Sequence, residues 1–121
     1  QSSITTADSE PEPDLAIVRG TARKRRKRHP TADEVALVVE VADSSLETDR
    51  TTKARVYARA RIACYWIVNI VDRQVEIQTA PSTRSGVHGY RHKRVARPGD
   101  HLALVIAGKT VASLEVEQLL P

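Results

Sequence analysis

Two carboxylates and a lysine are the residues of this chain whose types and spacing could do chemistry. Glu40 is the only charge inside the apolar run Val35-Ala36-Leu37-Val38-Val39-Glu40-Val41-Ala42. Burying an ion is costly unless a metal or a partner charge compensates it, so something must compensate Glu40. Asp14 follows a proline in Pro13-Asp14-Leu15-Ala16-Ile17-Val18-Arg19, a β-prone segment that the proline restricts to starting at Asp14. If the two segments pair as antiparallel strands, the start of the first lies beside the end of the second and Asp14 comes near Glu40. Neighbouring strands are about 4.8 Å apart, so two carboxylates on one face could share a divalent cation, which favours hard oxygen ligands. Lys53 lies on the inner stripe Lys53, Val56, Tyr57, Ala60 of a predicted helix, while Arg55, Arg59 and Arg61 fall toward solvent. Its amine could reach back to the strand that carries Glu40.

Each residue also has a plainer reading. An arginine from a neighbouring loop could neutralise Glu40 as an ion pair. Pro-Asp is common where strands and turns begin, and a lysine can snorkel from an apolar stripe to water. Only the three together raise the case for a site.

The elements that must position these residues follow from the pattern. Val35 to Ala42 is apolar at consecutive positions, as a strand covered on both faces would be. The segment 47–61 reads as a helix with Thr48 or Asp49 as N-cap, and Ser44 and Ser45 as part of its approach. Cys64 to Val71 and Gln74 to Thr79 read as a hairpin turning at Asp72-Arg73. Residues 80–89 read as a loop, and Arg91 to Val95, Leu102 to Ala107 and Thr110 to Val116 as further strands, with turns at Pro98-Gly99-Asp100 and Gly108-Lys109. Strands, one main helix after the second strand, then strands, predict an α+β fold with a mixed, largely antiparallel sheet.

With 121 residues and no change of character after residue 30, the chain is one domain. Aromatic content of 3%, with no Phe and one Trp, leaves the core to Val, Ile, Leu and Ala, a composition that favours sheet. The single cysteine, Cys64, excludes an internal disulfide framework and suits a reducing compartment. The lack of a long apolar stretch or signal-peptide pattern makes a cytoplasmic location, away from membranes, the expectation. His88 and His92 sit four apart in a predicted loop and strand start with no cysteine nearby, which is poor zinc-site geometry. No glycine-rich phosphate loop occurs.

The net charge of +4 is unevenly distributed. Arg23, Lys24, Arg25, Arg26, Lys27 and Arg28 form a basic block between the first two strands, able to grip a nucleic-acid backbone or equally to be a solvated loop tip. Arg91, His92, Lys93 and Arg94 form a second basic segment; Tyr90 beside it could stack on a base, but the alternation equally suits an edge strand protected by charge.

A Pro-Asp leading into one strand, a Glu in the next and a nearby lysine resemble the PD-(D/E)xK nuclease superfamily. The phrases PDLAIV, LVVEVADSS, DRTTKARVYARA and YWIVNIVDRQVEI resemble, more narrowly, the bacterial family of restriction-type endonucleases often called Uma-two, over nearly the whole chain after Glu12. In the superfamily the lysine usually follows the Glu by two positions on the same strand, where this chain has Ala42. In Uma-two-like proteins it is thought to have moved to the following helix, where Lys53 stands. The resemblance therefore implies a restriction-endonuclease-like fold, Asp14 and Glu40 as metal ligands, Lys53 as the charge that positions or activates the attacking water, and Asp43 as an auxiliary candidate. It implies Mg²⁺ as cofactor, with Mn²⁺ able to substitute, and DNA as substrate. A phosphodiester is anionic and resists hydroxide, so a cation that neutralises the developing charge and lowers the pKa of bound water suits the chemistry. A non-catalytic nucleic-acid or protein-binding module that keeps the fold is the alternative.

The family core opens with a helix and further strands ahead of the Pro-Asp strand, and this chain starts at Gln1 with no methionine. The expectation is an extended or disordered lead-in over 1–13 and a single nuclease-like domain over 14–121 that lacks those N-terminal parts. Such a domain would leave one sheet edge open to another copy of the chain. DNA sequence preference is not encoded in the motif.

Overall fold

The structure is a computed structural model, and it describes residues 4, 12–19, 31–82, 84, 89–106 and 108–121. The basic block 23–28 and His88 lie outside the described residues.

Strands β1 (Leu15–Val18), β2 (Val35–Ala42), β3 (Cys64–Asn69), β4 (Gln74–Pro81) and β5 (Tyr90–Ala96) form one sheet in that spatial order. The β2–β3 pair is parallel and the other three pairs are antiparallel. A parallel pair needs a crossover, and helix α1 (46–59) supplies it between β2 and β3. The fold is thus α+β with a mixed, mostly antiparallel sheet and one main helix, consistent with a restriction-endonuclease-like fold. Strands β6 (His101–Ile106) and β7 (Lys109–Glu115) form a separate hairpin, followed by the short helix α2 (Val116–Leu119).

The continuous apolar pattern of β2 is explained by its place. It is flanked by β1 and β3, and every residue except Val41 is buried. Alternate side chains feed two cores. Val38 and Ala42 join Ile67, Tyr57 and Tyr65 on the α1 side, whereas Leu37 and Val39 join Trp66, Ile77, Leu102 and Val116 on the other. Ile4 is fully buried in the α1-side core, and Pro13 is buried as well.

Helix α1 runs in three stretches, with Leu46–Thr48 and Ala54–Arg59 α-helical and Asp49–Lys53 π-helical between them. The helix starts earlier than its polar residues suggest. Ser45 occupies the N-cap position and Asp49 lies inside the helix, fully buried. Among the described residues, no helix is long and apolar enough to cross a membrane.

All three tyrosines of the chain tie this layer to the sheet. Tyr65 donates to the Asp49 carbonyl at 2.9 Å, inside the π-helical stretch, and Tyr90 donates to the Ile62 carbonyl at 2.7 Å just after the helix. Tyr57 and Tyr65 pack with ring centroids 5.0 Å apart, a tilted aromatic contact.

The turns follow side-chain chemistry. Asn69 ends β3, and its Oδ1 accepts from the Asp72 N–H at 3.0 Å; Arg73 then takes φ 52°. Gly99 adopts φ 101° between β5 and β6, where a side chain would be strained. Strand β5 is an edge strand with residues 91–95 exposed, so the basic segment Arg91 to Arg94 sits where charge discourages edge pairing. The last expected strand ends one residue early: Val116 is buried and opens α2, its N–H bonded to the Asp100 carbonyl at 3.1 Å.

Candidate active site

The antiparallel register of β1 and β2 pairs Leu15 with Val39, which sets Asp14 opposite Glu40, one step further along. The two residues interlock through the backbone. Asp14 N–H donates to Glu40 Oε1 at 3.3 Å, and Val41 N–H donates to Asp14 Oδ2 at 2.7 Å. Glu40 is 2% exposed, while Asp14 faces solvent. The pair therefore joins a buried carboxylate to an accessible one at the rim of the sheet.

Helix α1 brings the third residue. Lys53 Nζ lies 3.3 Å from Glu40 Oε2, and its side chain is 39% exposed. The helical stripe thus places Lys53 half-buried, with its amine directed at Glu40. The same oxygen accepts from the Tyr57 hydroxyl at 2.7 Å. The charge facing Glu40 is this helix lysine; the nearby arginine, Arg50, goes elsewhere.

Asp49 completes the cluster. Its Oδ1 faces Lys53 Nζ at 3.2 Å without a well-aligned hydrogen bond, and its Oδ2 accepts from Ser45 Oγ at 3.2 Å. Two buried carboxylates, Glu40 and Asp49, therefore share one ammonium. Asp49 and Lys53 are four apart and so share one face of the helix, and the π-helical stretch that holds both is a kind of turn frequent at functional sites. The sequence reading names Asp49 as an N-cap and Tyr57 as part of the inner stripe, and places neither in the site. An acidic residue four before the inward lysine, and a tyrosine four after it, were the available signals.

The electrostatics follow from burial. Desolvation raises the Glu40 carboxyl above the usual carboxylate range, against the lowering effects of the Tyr57 hydroxyl, the Lys53 ammonium and the Asp14 N–H. Burial would lower Lys53, but the close approach of the Asp49 carboxylate and the attraction of Glu40 outweigh that and hold it above its ordinary value. Lys53 is therefore a cation at neutral pH. Tyr57 is pushed up by burial and by its bond to Glu40, and it stays a donor.

A second polar cluster lies across the sheet on the same face. Cross-strand pairing runs from Glu40 to Ile67 and from Ile67 to Glu76. Arg50 Nε donates to Glu76 Oε1 at 2.9 Å, and Asn69 and Gln74 donate to Glu76 Oε2 at 2.8 and 3.2 Å. This set clamps the π-helical stretch to β4. Asp43 follows β2 directly and is exposed; it makes none of the contacts within the Glu40 cluster. Ala42, where the superfamily lysine would stand, is fully buried beneath the helix.

Among the described residues, no three of His, Cys, Asp and Glu come together as a metal-binding group. Mg²⁺ needs less, because it keeps several waters and is held by one or two carboxylates plus substrate phosphate. Asp14 and Glu40 fit that requirement in type and number.

The family model for Uma2, described as "Putative restriction endonuclease", matches residues 1–115. Among curated proteins nothing matches this chain.

Proposed function

The chain belongs to the Uma2 family, and we propose that it is a divalent-metal-dependent endodeoxyribonuclease that hydrolyses DNA phosphodiester bonds. The observation that carries the reading is the meeting of Asp14, Glu40 and Lys53, with the lysine amine 3.3 Å from the buried glutamate. Asp14 and Glu40 would hold Mg²⁺ or Mn²⁺. Such an ion supplies charge neutralisation on the phosphate and a bound water of lowered pKa.

The chain's own residues divide the remaining work. Lys53, held protonated, acts as a hydrogen-bond donor and fixed charge that orients the attacking water or the phosphate oxygen. It is not a general base, because its neighbours favour the charged form. Tyr57 and the Asp14 N–H hold the Glu40 carboxylate in one orientation. The basic residues Arg23, Lys24, Arg25, Arg26, Lys27 and Arg28 would add backbone contacts without sequence readout.

The test is a plasmid-nicking assay with Mg²⁺ or Mn²⁺, comparing the parent chain with Asp14→Asn, Glu40→Gln and Lys53→Met, each checked for folding by circular dichroism. Loss of nicking in all three, by roughly 10²-fold or more, is the expected result. A second reading rests on one observation: both Glu40 oxygens already accept hydrogen bonds from the protein. A folded parent that binds DNA without cutting it, and tolerates Asp14→Asn, would make this a binding module that retains the nuclease fold.

A further inference from the structure

On the face of the sheet away from α1, a cleft of about 450 Å³ opens between the sheet and the β6–β7 hairpin. That volume suits a small organic molecule. The floor is apolar, with Leu37, Trp66 and Ile77 from the sheet and Leu104 from β6. Cationic side chains stand on its edges, Arg19 just beyond β1 and Arg94 on β5, and His92 shares the Arg94 face, whereas strand alternation turns Lys93 to the α1 side. No Asp or Glu lines the cleft among the described residues. None of the ion pairs among those residues involves Arg94.

Cys64 belongs to the same wall. Burial raises its thiol despite the Trp66 indole and the Arg94 charge, so it is a neutral SH at neutral pH and does not offset the arginine. The cleft thus joins an apolar floor to a positive edge that no lining carboxylate offsets among the described residues. The Glu40 cluster lies on the opposite face, so the cleft stands apart from the nuclease reading.

We infer that this cleft binds a small organic anion, with a carboxylate or phosphate head on Arg94 and an apolar body over Trp66 and Leu104. Charge complementarity selects the anion, because an apolar molecule alone would leave these cations unused. A concave apolar floor selects a small body over a polymer backbone, which exposed cations could bind without any cavity.

Trp66 is the only tryptophan, so one indole N–H resonance reports on the cleft. The test titrates 2-naphthoate into the ¹⁵N-labelled protein and compares it with 2-naphthylmethanol, which has the same ring system and no charge. A saturable shift of the Trp66 resonance is expected with naphthoate. Binding should be about tenfold weaker for the alcohol, and about tenfold weaker for naphthoate with Arg94→Gln, each corresponding to roughly 1.4 kcal/mol. Arg55→Gln, a change of equal charge on the exposed side of α1, should leave the affinity unaltered. Absence of a saturable shift, or equal binding of the alcohol, overturns the proposal. So does a resonance that moves with short duplex DNA and not with naphthoate. A resonance that depends on protein concentration with no probe present would assign the cleft to a second copy of the chain and would also overturn it.

Discussion

Tyr57 donates its hydroxyl hydrogen to Glu40 Oε2 at 2.7 Å, from a helix position one turn beyond Lys53, whose amine meets the same oxygen. Both partners are almost wholly buried, at 1% and 2% exposure. Removing the donor leaves a buried carboxylate short of one bond. Tyr57→Phe should therefore lower stability at neutral pH by about 1–3 kcal/mol, with little change in helix content. Urea denaturation of parent and variant measures this, and an unchanged midpoint would show that the bond carries no net stability.

The pH dependence has a sign that burial fixes. Glu40 in the folded chain lies above its ordinary value of 4.5 because of desolvation. The native state then holds its proton where the unfolded chain has lost it, so this contribution to stability is present below 4.5 and is lost as pH rises through the folded value. Glu40→Gln is neutral throughout, and its stability relative to the parent should rise across that window. Denaturation midpoints over a pH series provide the check; parallel curves would mean that Glu40 titrates normally.

Glu76 has the opposite sign. Arg50 foremost, then Asn69 and Gln74, hold its carboxyl below 4.5. Its contribution is present above 4.5 and lost as pH falls through the lowered value. Glu76→Gln should cost about 1–2 kcal/mol at neutral pH, with the exposed part of Arg50 screening the pair, and should flatten the acid limb. Because the clamp holds the π-helical stretch, hydrogen exchange at Asp49 to Lys53 should quicken in the same variant. Unchanged exchange there would confine Glu76 to β4.

Much of the site's placement was readable because it rests on three pattern rules. A lone charge in a doubly covered strand marked Glu40, and antiparallel pairing put Asp14 beside it. Helical spacing directed Lys53 to the strand. The rest depends on features that spacing does not carry. The helical period does not fix where the helix begins, so Asp49 reads as an N-cap and is instead a buried member of the cluster, inside a helix that starts at Leu46. The Arg50–Glu76 clamp joins residues 26 apart through the sheet order, which the separate strands leave open. Val116 continues an apolar alternation, yet its backbone turns into a helix against Asp100.

Lys53 is where the structural and chemical roles separate. Its ammonium serves two carboxylates, Glu40 at 3.3 Å and Asp49 at 3.2 Å, while 39% of the side chain remains exposed. Removing the charge leaves two buried anions facing each other across the vacated position. Cutting one partner from a fully buried pair costs roughly 3–5 kcal/mol, and partial solvent screening here reduces that to about 1–2 kcal/mol. Lys53→Met should therefore fold with a lower denaturation midpoint, and its midpoint should recover in the double variant Lys53→Met, Asp49→Asn. On the proposed nuclease reading the double variant still lacks the cation near the phosphate, so nicking stays absent when stability returns. A double variant that regains nicking along with stability would reduce Lys53 to a structural counter-ion and leave the chemistry to Asp14 and Glu40.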